Sequence, residues 1–295
     1  MTDFFKTTLY DFHNNLNAKL VPFAGFLMPL QYSGIIDEHK HVRSKAGLFD
    51  VSHMGEFIVS GKNAKKFLQK VTINDIESLG AGKAQYSALC NKRGGIIDDL
   101  LVYNLSDYYM LVVNASNIEK NFNWLTSHLL DDVELKDVSK DIGLLAIQGP
   151  MSRDILQNFY PDIDSLKYYE TLMPDQDGTI VARTGYSGEL GFEIYISNDK
   201  ISDLWNGLLS ASDDIRPVGL GCRDSLRLEM GYCLYGHELN ESINPIEAGL
   251  SWITKIDTGF IGSESLSDIN IEKKLVPLIL KDRAIPRAEY KIFDD

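Results

Sequence analysis

The chain has 295 residues, enough for about two domains at roughly 150 residues each. Hydrophobic residues make up 44% and charged residues 24%, an ordinary globular composition that excludes disordered, collagen-like and low-complexity architectures. Lys plus Arg is 29 against 42 Asp plus Glu, and the resulting net charge of −13 argues against general nucleic-acid binding, leaving room only for a local basic pocket.

In chain order, Ser33 precedes a predicted helix with Ile35, Ile36, His39 and Val42 on one side. Residues 56–60 predict a strand, and 63–71 a helix on Ala64, Phe67 and Val71. Residues 84–90 predict a strand and Gly94-Gly95 a turn. Residues 96–104 and 108–113 then form a hairpin around Leu105-Ser106-Asp107. Ser116 and Glu119 have capping-box spacing ahead of a helix carrying Ile118, Phe122, Leu125 and Leu129. Residues 144–147 predict a strand, and Gly149-Pro150 opens a further helix. Strands at 179–183 and 192–196 flank the turn Gly185-Tyr186-Ser187-Gly188. Ile201, Leu204, Trp205, Leu208 and Leu209 define an amphipathic helix, and 223–230 another. Residues 276–279 and 290–293 read as strands opening a β module that Asp294-Asp295 leave unclosed. Paired strands with interspersed helices predict an α+β fold with antiparallel sheets.

Cys90, Cys222 and Cys233 are far apart and odd in number, which fits a reducing compartment rather than a disulfide framework. The N-terminus lacks a basic start followed by an apolar run, and no apolar run approaches the roughly 20 residues that span a bilayer. A soluble, cytoplasmic protein is expected, or one of the mitochondrial matrix if the source is eukaryotic.

Several catalytic patterns fail on inspection. Gly185-Tyr-Ser187-Gly188 ends in Glu189 where a nucleophile elbow needs Gly. Gly55 to Gly61-Lys62 is too long for a phosphate loop, and Asn63 replaces its Ser or Thr. Gly219-Leu-Gly221 lacks the third Gly of a dinucleotide fingerprint. His39 and His41 do not share a helix face, and no zinc-like cluster emerges, so no metal is expected.

Positive signals are fewer. Asp98 and Asp99 are adjacent on a predicted strand, so they face opposite ways and one points inward or into a cleft unless the strand is bulged; the alternative is a hairpin-turn acid exposed to solvent. A buried carboxylate needs a partner, a ligand or a raised pKa. Arg183, Glu189, Glu193, Arg223, Asp224 and Arg227 form a second charged set near Gly-rich turns. They either make structural ion pairs or hold a polar heterocycle, with Tyr86, Tyr103, Tyr168, Tyr169 and Tyr186 as candidate ring partners or as core.

Taken together, eight segments resemble the aminomethyltransferase of the glycine cleavage system, the T-protein family. They are Pro22-Phe-Ala-Gly-Phe-Leu-Met-Pro-Leu30, Gly47-Leu-Phe-Asp-Val-Ser-His-Met-Gly-Glu56, Gly94-Gly-Ile-Ile-Asp-Asp99, Val113-Asn-Ala115, Arg183-Thr-Gly-Tyr-Ser-Gly-Glu189, Gly191-Phe-Glu193, Gly219-Leu-Gly-Cys-Arg-Asp224 and Asn244-Pro-Ile-Glu-Ala-Gly249. Each is weak alone, whereas the ordered set is specific and covers essentially the whole chain.

The resemblance implies interleaved antiparallel-sheet and helix domains around a central folate pocket: residues 1–53 plus 141–240, residues 54–140 plus 241–277, and from 278 the start of a C-terminal β-barrel. It implies transfer of an aminomethyl carbon from the lipoyl arm of H-protein to tetrahydrofolate, giving methylenetetrahydrofolate, ammonia and dihydrolipoyl H-protein. Asp99 matches the family's key acid. Glu193 and Arg223 match folate-contacting positions, and Met54, Tyr86, Tyr103, Asn114, Tyr168 and Tyr186 match pocket-lining ones. A monomer with transient partner contact is implied, with no nucleic acid and no membrane. The family continues as a complete barrel, which the chain has only begun at Arg287 and Tyr290. A related folate-dependent methyltransferase or demethylase and a non-catalytic folate-binding module are the competing readings. The intact Asp99 and the charge of −13 speak against the second.

Overall fold

A computed structural model describes residues 4–174, 178–267, 269–286 and 290–293. Two open sheets form its centre. The six-stranded sheet runs Thr171–Leu172, Ile180–Ala182, Gly191–Ser197, Ile142–Gln148, Ala46–Asp50, Ile215–Pro217. The five-stranded sheet runs Lys83–Cys90, Ile96–Asn104, Tyr109–Val113, Gly55–Ser60, Glu134–Asp137. Pairing is antiparallel throughout both, as expected, except that Ile215–Pro217 lies parallel to Ala46–Asp50. The six-stranded sheet therefore takes strands from both sides of the segment that builds the five-stranded one.

Strand alternation explains how the sheets stack. Leu144 and Ala146 join Tyr195, Met110, Val112 and Tyr103 in a core between the two sheets. Leu145 and Ile147 face the other way, into a core closed by Trp205, Leu204 and Leu208 of the helix Ile201–Ala211. Phe57, Leu111 and Val113 pack likewise against Phe67, Leu68 and Val71 of Ala64–Val71 and Leu125 of Ile118–Thr126. The layers run helix, sheet, sheet, helix.

The edges of the two sheets meet near residue 169. Ala84 N–H donates to the Tyr169 carbonyl at 2.8 Å, and Thr171 N–H to the Gly82 carbonyl at 2.9 Å. A separate hairpin, Lys19–Phe23 with Phe26–Gln31, lies against the helices Ile35–Ser44 and Leu220–Glu229. Glu38 ties these helix starts together. Its Oε1 accepts the backbone N–H of Tyr32 and Ser33 at 2.6 and 2.9 Å, and its Oε2 that of Gly219 at 2.8 Å.

Two sequence expectations are corrected. The capping box of Ser116 and Glu119 does not form: the helix starts at Ile118 with Asn117, not Ser116, at the cap position, neither the turn Ala115–Asn117 nor the helix has a side-chain cap, and the Asn117 amide donates to Asp98. Residues 276–279 and 290–293 are not strands. A strand needs a partner's backbone, and among the described residues none pairs with them; Ile279 and Phe293 are left exposed. Arg287 lies outside the described residues.

Candidate active site

The strand Ile96–Asn104 carries Asp98 and Asp99 in the register expected of neighbours, on opposite faces. Asp98 is 0% exposed. Its Oδ1 accepts the side-chain amides of Asn114 and Asn117 at 2.8 and 2.7 Å, and its Oδ2 that of Asn121 at 2.5 Å. Asp99, on the other face, is partly exposed. The Tyr86 hydroxyl donates to its Oδ2 and the Asn114 amide to its Oδ1, both at 2.8 Å. Neither carboxyl sits at an exposed turn.

Burial and the Asp99 charge push Asp98 up to about 7, with the three asparagine amides opposing. Burial also raises Asp99, opposed by Tyr86 and Asn114. Two such close carboxyls titrate as a pair.

Aromatic rings flank Asp99. The Tyr86 ring stacks on Trp252 with centroids 6.2 Å apart and planes at 28°, and Trp252 is 62% exposed. Tyr186 stacks on Tyr232 at 5.8 Å and 27°. The Arg223 guanidinium lies over the Tyr186 ring, 4.8 Å from its centroid. The Tyr186 hydroxyl donates to the Cys233 carbonyl. Burial, then the charge of Asp99, raises both Tyr186 and Cys233, the latter to about 11.

The second charged set divides. Glu189 pairs with Arg43 at 3.0 Å, and Arg227 with Asp224 and Glu238 at 2.8 and 2.9 Å. Arg183 donates to the Leu166 carbonyl at 3.0 Å. Arg223 makes no ion pair among the described residues. Glu193 is buried and accepts the Thr184 hydroxyl at 2.5 Å. Tyr103 is 0% exposed. It bonds the Tyr195 hydroxyl at 2.8 Å and Thr184 at 3.3 Å, and so supports Glu193 from behind. Tyr168 is 59% exposed, edge-on to Tyr169 at 4.5 Å. Met54 packs against the inter-sheet core.

Asp99, Tyr86 and Asn114 thus form one hydrogen-bonded unit, Glu193 and Tyr103 are joined through Thr184, and Arg223 and Tyr186 meet cation over ring. Sequence reasoning missed Trp252, Tyr232, Asn117 and Asn121. The spacing of Asn114, Asn117 and Asn121 carries a signal, since steps of three and four share one helix face. His53 was also missed. It is buried with Nδ1 unpartnered and lies edge-on to Phe23 at 5.5 Å; burial, with Arg223 adding, lowers it to about 4. A cavity of about 490 Å³, lined by His237, Glu238, Ser242, Glu247 and Leu275 among others, includes none of the predicted site residues. Among the described residues no group of His, Cys, Asp and Glu could hold a metal ion. No helix among them is long and apolar enough to cross a membrane.

Residues 9–258 match the family model described as the GCVT N-terminal domain. The chain belongs to the GCVT family. An aminomethyltransferase of Chloroherpeton thalassium is 52% identical over 298 residues, covering 98% of this chain and 82% of that protein. One from Flavobacterium psychrophilum is 47% identical, covering 98% and 83%. The crystal structure of the glycine cleavage system aminomethyltransferase T from Bartonella henselae matches with a TM-score of 0.86 and 35% identity, over 90% of this chain and 74% of that one. Family membership makes the chain an enzyme, and aminomethyl transfer its activity.

Proposed function

We propose that the chain passes the aminomethyl carbon held on the lipoyl arm of a partner H-protein to tetrahydrofolate, with Asp99 beside the reacting nitrogen. The products are methylenetetrahydrofolate, ammonia and dihydrolipoyl H-protein. The observation that carries this reading is Asp99 itself, a partly exposed carboxyl oriented by Tyr86 and Asn114.

The residues suit a reduced pterin. A flat polar heterocycle with a charged tail calls for ring faces, an acceptor and a cation. Tyr86 with Trp252 and Tyr186 with Tyr232 offer faces, Glu193 offers a carboxylate, and Arg223 offers the cation. Tyr168 offers an exposed ring at the rim, while Tyr103 and Met54 support from the core. Bound tetrahydrofolate supplies the nucleophilic nitrogen. Asp99 takes the proton from that nitrogen or stabilises the positive charge that develops there. Tyr86 and Asn114 hold its carboxyl in one orientation, which keeps donor and acceptor in near-attack geometry.

The interleaved strand origins of the two sheets support the division into residues 1–53 plus 141–240 and 54–140 plus 241–277; that 278–295 begins a third domain rests on the family resemblance alone. We read the protein as a cytoplasmic monomer that meets H-protein transiently. Titration with tetrahydrofolate, followed by an ammonia-release assay with aminomethyl-loaded H-protein, tests the reading. Saturable binding with ammonia release supports it. Binding without ammonia would leave a folate-binding module, and no binding would contradict both.

A further inference from the structure

We propose that Asp98 is a positioning residue for Asp99: caged by the side-chain amides of Asn114, Asn117 and Asn121, it aims the Asn114 amide at Asp99 and keeps a second carboxyl beside it. This rests on the reading of Asp99 as the carboxylate of the transfer site.

Asp98 has no route to a substrate, being fully buried on the opposite face of its strand. Even so, four N–H groups converge on it. Oδ1 takes Asn114 and Asn117, and Oδ2 takes Asn121 and, at 3.3 Å, the backbone N–H of Asn114. The arrangement does not end at Asp98. The Asn114 Nδ2 carries two hydrogens and lies 2.8 Å from Asp98 Oδ1 and 2.8 Å from Asp99 Oδ1. One amide therefore bridges two carboxyls, and each fixes which end of it faces the other. Exchanging its oxygen and nitrogen would set an oxygen against both carboxyls, so the orientation has one solution. With Asp99 Oδ2 taken by Tyr86, both oxygens of Asp99 are held.

The same bridge couples their charges. Burial and the charge of Asp99 push Asp98 up to about 7, so the proton stays on Asp98 as Asp99 ionises, while Asp99 itself is raised by burial. Other groups facing the pair are Tyr86 from Lys83–Cys90, Tyr186 from the turn before Gly191–Ser197, and Cys233 and Tyr235 from the loop after Leu220–Glu229. All four have raised pKa values, which keeps them neutral from pH 5 to 8. The charged neighbours are Lys120, which donates to the Ile97 carbonyl and lies 3.7 Å from Glu241, and Arg223 over Tyr186.

The pH dependence of kcat and KM for ammonia release, with tetrahydrofolate and aminomethyl-loaded H-protein, tests this in wild type, Asp98→Asn, Asn117→Ala and Asp99→Asn, with melting temperatures recorded. Asp98→Asn keeps an oxygen for the Asn114 amide and is neutral like the protonated Asp98, so kcat falls no more than a few-fold and the acid limb stays in place. Asn121 has a buried Oδ1 without a partner, which can accept from the new amide after a flip, so the variant has a way to fold. Asn117→Ala removes a donor from Asp98 and touches Asp99 nowhere. Asp98 is then free to turn, the Asn114 amide loses its fixed end, and kcat falls by up to roughly tenfold with KM for tetrahydrofolate unchanged. Wild-type kcat in Asn117→Ala, or a loss of kcat matched by an equal rise in KM, would make Asp98 merely structural and overturn the proposal, while Asp99→Asn collapses regardless. Full turnover by Asp99→Asn would overturn the reading of Asp99 and this proposal with it.

Discussion

The Arg223 guanidinium lies over the face of Tyr186, 4.8 Å from the ring centroid, with no carboxylate paired to it among the described residues. Four residues on, Arg227 is paired twice. The two arginines share a helix and differ in what they hold. Arg223→Met is expected to raise KM for tetrahydrofolate about tenfold, the loss of one charge-assisted contact, with little change in melting temperature. Arg227→Met is expected to lower the melting temperature, because it strands Glu238. Steady-state kinetics beside thermal melts separate the two. Equal KM in Arg223→Met would remove Arg223 from the site.

Tyr86→Phe deletes the hydroxyl that donates to Asp99. A donor to the charged form lowers a carboxyl's pKa, so its loss raises that of Asp99. Activity that needs the carboxylate is then lost at higher pH. The acid limb of kcat/KM should move upward, and turnover should fall about tenfold. A limb that stays in place would mean that Tyr86 acts only as a ring.

Trp252 is exposed and stacked on Tyr86, whereas Trp205 is fully buried. Tetrahydrofolate bound at this face should quench Trp252 emission. Trp252→Phe should remove most of the ligand-dependent signal and weaken binding by at most about 1 kcal/mol, within the usual contribution of one stacked ring pair, since Phe keeps a ring. A quench of unchanged size in Trp252→Phe would move the ligand elsewhere.

Glu56 lies 1% exposed with neither carboxyl oxygen partnered, and burial, with Asp137 adding, raises its pKa well above the usual value. A group whose folded pKa is raised contributes stability below its unfolded pKa and loses it as pH rises toward the folded value. Relative to Glu56→Gln, wild type should therefore lose about 1.4 kcal/mol per pH unit above roughly pH 4.3, until the folded pKa is reached. Urea unfolding at pH 5, 6 and 7 measures this. Parallel stability curves for the two proteins would show Glu56 ionised and solvated.

Much of this was legible because the chemistry is local. Adjacent aspartates on a strand must face apart, and they do, one caged and one toward the rings. Arg223 and Glu193 came through family resemblance; residue type alone could not separate Arg223 from the ion-paired Arg227. Less legible were features decided by distant partners. The capping box fails because the helix begins one residue later than Ser116 requires, with Asn117 at the cap position and its amide on Asp98, 19 residues earlier. The strands at 276–279 and 290–293 had the right composition and no neighbour to pair with. Trp252 carries no local signal, and only the fold sets it on Tyr86.

The most direct measurement is single-turnover ammonia release by Asp99→Asn, made beside its equilibrium affinity for tetrahydrofolate. The account predicts affinity within a few-fold of wild type and a rate lower by at least about 100-fold, the usual contribution of a positioned acid or base. A wild-type rate in that variant would contradict it.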